Sequence, residues 1–170
     1  TIRVTFRDAA TGPVNPVGPT DPVDPVNPTD PIDPAPGNPF DDVKAGAYYY
    51  GAVLWAVENG ITTGTSQTTF SPNIVCTRAQ AVTFLWRAAG SPVVSGVQNP
   101  FADIDKSAYY YNAVLWGVKN GIVKGTGDAT FGPDDICSRG QIVTLQWRAN
   151  GAPDASGANP FADVSMDAYY

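Results

Sequence analysis

From Phe40 onward the chain repeats itself at a fixed period, and this limits its fold more than any local pattern does. Phe40, Trp55, Cys76 and Trp86 recur as Phe101, Trp116, Cys137 and Trp147, each 61 positions on (40 to 101). Phe161 opens a third copy, in which Tyr170 is the counterpart of Tyr49 and Tyr110. Self-similarity of this kind marks a repeat architecture, in which each copy is one supersecondary unit that buries its apolar face against its neighbours.

Within a copy the pattern is helix, loop, helix. Tyr49, Ala52, Val53, Ala56 and Val57 keep the i, i+3, i+4, i+7, i+8 spacing of a buried helical face. Gly60 then ends the helix in the left-handed position beyond its last turn, with Ile61 packing back on that turn, and Asn120, Gly121 and Ile122 repeat the device. A loop rich in Gly, Thr and Ser follows, with one aromatic per copy, Phe70 or Phe131, to plug it onto the core. The second helix opens at Thr77 or Ser138, and Gln80 or Gln141 three residues on completes a capping box. Cys76 and Cys137 fall just before these starts, in the staple position facing Ala81 and Ile142. Equivalent positions point to equivalent roles as buried apolar residues with free thiols, a disulfide being the alternative. Gly90 or Gly151, followed by Pro92 or Pro153, closes the second helix. The fold class expected is mainly α.

The first 39 residues are of another kind. Residues 1–11 alternate Ile2, Val4 and Phe6 with Arg3, Thr5 and Arg7, which reads as the end of an upstream domain or a disordered tail. In residues 12–39 proline recurs every third position from Pro13 to Pro34, matching the three-residue turn of polyproline II. No basic residue faces Asp21, Asp24, Asp30 or Asp33, so the stretch reads as an extended linker that could reach about 85 Å. The remainder divides into a first repeat over 40–97, a second over 98–158 and the truncated start of a third over 159–170.

Composition excludes several functions. A net charge of −6 with ten Lys and Arg argues against a nucleic-acid surface. No apolar run is long enough to span a bilayer, and the opening residues read as the middle of a longer protein. There is no His, hence no imidazole general base and no Ser-His or Cys-His nucleophile. Asp134 and Asp135 lie in a turn without a partner base, so no enzyme is expected. The stretch from Gly127 and Asp128 to Asp134 and Asp135 lacks the ligand spacing of a calcium loop, so no metal or cofactor is expected either.

Two local features point to a ligand instead. Arg78 and Arg139 fall at the first helical position, where the positive end of the helix dipole disfavours a cation. An anion held by the helix-start amides and the guanidinium would offset this, as would an ion pair with Asp42 or Asp103. Three consecutive tyrosines per copy point about 100° apart on a helix, so at least one should be exposed. With Trp55 and Trp116 they supply core surface and faces on which a sugar ring could stack.

Taken together, NPFDDV, YYGAVLWAVENGITTGT and TFSPNIVCTRAQAVTFLWRAAGSP resemble the S-layer-homology family throughout. The second copy, from NPFADI to CSRGQIVTLQWRANGAP, is as close. The resemblance covers residues 38–170. It implies three repeats in a pseudo-threefold bundle, with clefts that bind secondary cell-wall polysaccharide, often through a pyruvylated sugar. The family's Thr-Arg-Ala-Glu motif matches Thr77-Arg78-Ala79-Gln80 and, more loosely, Ser138-Arg139-Gly140-Gln141; its arginine contacts the ligand, a role that carries over to Arg78 and Arg139. Gln in place of Glu keeps the cap but removes a charge from the cleft.

The expected ligand-binding set is therefore Thr77, Arg78, Gln80, Ser138, Arg139 and Gln141, with Asp42, Asp103, Trp55 and Trp116 beside them. The implied function is non-covalent anchoring of an upstream protein to the bacterial cell wall or S-layer, outside the cell. The alternative is a structural S-layer subunit or a protein-interaction module without glycan binding. The short third repeat adds an option of self-association, a second chain supplying the missing bundle helix.

Overall fold

A computed structural model describes residues 37–165. The expected N-terminal strand, most of the polyproline II linker and the last five residues lie outside the described residues. Within them are four helices, α1 (Tyr50–Glu58), α2 (Arg78–Ala88), α3 (Tyr111–Lys119) and α4 (Arg139–Ala149), and no strand. The described protein is mainly α.

The helix ends follow from local chemistry. At α2 the Thr77 hydroxyl accepts from the Gln80 amide at 3.3 Å, and the Gln80 side chain accepts from the Thr77 amide at 2.9 Å. Ser138 and Gln141 close the same box on α4 at 3.2 and 2.9 Å. Two of the amides that a helix start leaves without acceptors are thereby satisfied. Thr77→Ala should therefore destabilise the fold by about 1 kcal/mol, read as a lower urea midpoint at unchanged slope. At the far end of α1, Gly60 adopts φ +67° and donates to Val57 O while Ile61 donates to Ala56 O, and Gly121 at φ +68° does the same after α3. This is the glycine-terminated cap that the sequence predicts.

The chain divides into two compact units, which among the described residues are 37–73 and 74–165. The first holds a small core of Phe40, Val43 and Val53, joined by Tyr49, Tyr50, Val57 and Phe70. The second holds the larger one, built on Val82, Val114, Trp116, Ile122 and Phe131. In it α2 packs against both α3 and α4. The packing unit is therefore offset from the sequence repeat, since α2 belongs to the first copy and α3 and α4 to the second.

This offset makes equivalent residues unequal. Val82 on α2 is fully buried, whereas its counterpart Val143 on α4 is 57 % exposed. Likewise Ala113 on α3 is buried, but Ala52 on α1 is exposed, contrary to the buried face that its spacing suggests. Helical periodicity states which face is apolar; whether that face is covered depends on a neighbouring element.

Candidate functional site

Each copy ties its loop to its opening turn through one carboxylate. Asp42 accepts from the amides of Phe70 at 2.8 Å and Ser71 at 2.7 Å. Asp103 accepts from Phe131 at 2.9 Å and Gly132 at 2.8 Å. The anchored aromatics then pack on the opening phenylalanines, Phe70 on Phe40 and Phe131 on Phe101, with ring centroids 5.6 Å apart in both. Phe131 is thus the buried plug that the sequence predicts, and Phe70 is its half-buried equivalent.

These bonds set the acid behaviour. The Phe70 amide is the main influence holding the Asp42 carboxyl below its ordinary value, against partial burial. For Asp103 burial is the largest single influence and raises the pKa, but the Phe131 and Gly132 amides outweigh it and the net shift is downward. A carboxyl whose folded pKa is depressed contributes stability above its unfolded pKa, about 4, and loses it as pH falls through the lower folded value. Thermal midpoints should therefore fall below about pH 4. Asp103→Asn should be less stable than the parent at pH 7 by about 1 kcal/mol, a low figure because the carboxylate is exposed, and its acid slope should be shallower.

Arg78 lies where the loop of the second copy meets α2. Its Nε donates to Phe131 O and its Nη2 to Lys124 O, both at 3.0 Å, and its guanidinium lies 4.9 Å from the centroid of the Phe131 ring. The residue is only 8 % exposed. The amides of Arg78 and Ala79 donate to Asp135 O at 2.9 Å and Pro133 O at 3.0 Å. The start of α2 is thus filled by loop carbonyls. These dipoles, with the ring face, offset the unfavourable placing of a cation at a helix start. An ion pair with Asp42 or Asp103 was the other way to offset that cost; among the described residues both carboxylates accept from loop amides instead.

The start of α4 has the same sequence logic and different surroundings. Ser138 and Arg139 are exposed. Arg139 makes no hydrogen bond or ion pair among the described residues, and the amides of Arg139 and Gly140 have no backbone acceptor there. Among the described residues one helix start is occupied and the other is open. The capping residues Thr77, Gln80, Ser138 and Gln141 spend side-chain groups on the backbone in both places.

The aromatics also divide. Trp116 is 3 % exposed and serves the core, whereas Trp55 is at the surface of α1. Tyr48 and Tyr109 are exposed, one per copy, and each meets its neighbour edge-on, Tyr49 at 5.1 Å and Tyr110 at 5.0 Å. Sequence reasoning did not find the pairing of Arg78 with the second loop, because its acceptors are backbone carbonyls, which leave no residue signature. The available signal was the recurrence of one loop aromatic per copy as a possible face for the cation.

Comparison with known proteins gives a consistent picture. The S-layer homology domain family matches residues 39–82 and 100–143, just over half of the chain. The chain is 33% identical over 111 residues to an endoglucanase of Bacillus sp. (strain KSM-635), covering 65% of this chain and 12% of that protein. It is 31% identical over 122 residues to the S-layer protein EA1 of Bacillus anthracis, covering 71% and 14%. With a cell surface protein of Thermoanaerobacter kivui it shares 28% identity over 120 residues, covering 68% and 16%. The chain thus spans less than a fifth of the length of each of these relatives.

Proposed function

Because the chain belongs to the S-layer homology domain family, we propose that it anchors a larger protein by binding an anionic secondary cell-wall polysaccharide through the start of α4. The module is non-catalytic and acts at the cell surface. Its polymer partner is what the resemblance to the family implies. The observation that carries the reading is the open helix start. The exposed Arg139 guanidinium and the two amides without acceptors offer a carboxylate a charge-assisted, multidentate seat. A pyruvylated sugar carries such a carboxylate on a saccharide ring, and Tyr109 supplies an exposed aromatic of the kind on which sugars stack.

The test is titration calorimetry with a pyruvylated wall saccharide and its pyruvate-free counterpart. Arg139→Ala should weaken binding of the pyruvylated form by about 10- to 100-fold, the loss expected for a charge-assisted bond. Equal binding of both saccharides, unaffected by Arg139→Ala, would refute the site.

A second reading rests on the Arg78 geometry. The loop of a following repeat could fill α4's start as residues 124–135 fill α2's, and an α3-like helix could cover Val143 and Trp147, building the pseudo-threefold bundle. In that case a chain extended through a complete third repeat would lose the Arg139-dependent binding, whereas a ligand site at α4 would persist in both lengths.

A further inference from the structure

We propose that Cys76 and Cys137 form a dithiol pair that oxidises to a disulfide joining consecutive repeats. The two residues lie 61 positions apart, yet the structure places them directly opposite one another. The Cys137 amide donates to Cys76 O at 2.9 Å, the Arg78 amide donates to Asp135 O at 2.9 Å, and the residues between form an antiparallel bridge, Thr77 with Ile136. Cys76 and Cys137 thus stand opposite one another beside an isolated antiparallel bridge, which turns both side chains to the same side. Opposed residues of an antiparallel pairing have Cα atoms about 4.5 to 5.5 Å apart, inside the Cα range a disulfide spans. Both are free thiols in the structure, packed on the same core. A cell-surface location adds the chemical setting, since disulfides persist outside the cytoplasm.

The two thiols differ in access, which orders the reaction. Cys137 is buried and Cys76 half-buried. The Cys76 thiol now donates weakly to Thr77 O at 3.6 Å, a contact that rotation about its side chain releases. Cys76, as thiolate, attacks an external low-molecular-weight disulfide, forming a mixed disulfide and expelling one small thiolate. Cys137, as thiolate, then attacks the Cys76 sulfur, forming the internal bond and expelling the second. The dithiol loses two electrons and two protons; the external disulfide gains both electrons and leaves as two thiols. Burial pushes both thiols up, so the exchange should quicken as pH rises and thiolate forms. The product bolts the start of α2 to the segment that leads into α4, the same junction that Arg78 holds.

The experiment incubates the folded full chain with oxidised glutathione and follows it by non-reducing mass spectrometry with peptide mapping. The expected product has lost one hydrogen from each thiol and carries a peptide linking Cys76 to Cys137. Its thermal midpoint should rise on the order of 10 °C and return on reduction. Cys137→Ser should trap glutathione on Cys76, while Cys76→Ser should leave Cys137 largely unmodified. Persistent free thiols in the folded chain, a lasting glutathione adduct on the parent protein, or a covalent dimer in place of the internal link would each overturn the proposal.

Discussion

Arg78→Ala is expected to destabilise the unit of residues 74–165 by about 3–4 kcal/mol, whereas Arg139→Ala should change it by less than about 0.5 kcal/mol. The two arginines hold the same place in the repeat, so sequence alone would assign them equal effects. Removing Arg78 strips a donor from the carbonyls of Phe131 and Lys124 in a closed junction and takes the cation from the Phe131 ring. Unmet carbonyls at such a site cost more than the net worth of the bonds themselves. Arg139 holds nothing in place among the described residues, and truncating it leaves no polar group stranded. Urea unfolding of the two variants beside the parent measures both values. Arg78→Lys should fall between parent and alanine, because an ammonium keeps the charge but cannot fork to two carbonyls.

Phe131→Ala should cost about 3–5 kcal/mol, the range for emptying a fully buried aromatic site. Phe131 is 1 % exposed and packs on Phe101. Its amide is held by Asp103 and its carbonyl by Arg78. One residue therefore joins the second copy's opening turn, its loop and the first copy's second helix. The loss should exceed that of Phe70→Ala, since Phe70 is only half-buried in a smaller core. A double cycle of Phe131→Leu with Arg78→Ala should show non-additivity of about 1 kcal/mol, because the ring face and the guanidinium share one contact.

The features legible in the sequence are those governed by neighbours along the chain. Thr77 with Gln80 and Ser138 with Gln141 announce the starts of α2 and α4, and Gly60 and Gly121 announce where α1 and α3 stop, because capping is settled within a few residues. The loop aromatics were legible too, since a single Phe in a run of small polar residues has few uses other than packing. The contrasts between copies were not. Val82 and Val143, or Trp116 and Trp55, are the same residue in the same pattern, and only a tertiary neighbour distinguishes a covered face from an open one. The acceptors of Arg78 escaped notice for a related reason, being carbonyls brought close by a fold whose packing unit is offset from its repeat. The opposition of Cys76 and Cys137 follows from the same offset, which sets equivalent positions of successive copies side by side.

On the proposed reading the two arginines divide the labour, which gives the repeat a physical rationale. Where the loop of the next copy is present, the helix start is filled and the arginine binds repeats together. Where the start is open, the same amides and guanidinium suit an external anion. On that reading a motif of four residues serves cohesion at one junction and recognition at the other.

Attachment of this module to wall polymer through Arg139 can be measured by co-sedimentation with purified Gram-positive cell walls. Parent and Arg139→Ala chains would be compared on walls with and without their secondary polymer, well below the unfolding temperature of both. The parent should pellet only with polymer-bearing walls, and Arg139→Ala should stay in solution. Parent chain that pellets equally with stripped walls, or an alanine variant that pellets like the parent, would contradict it.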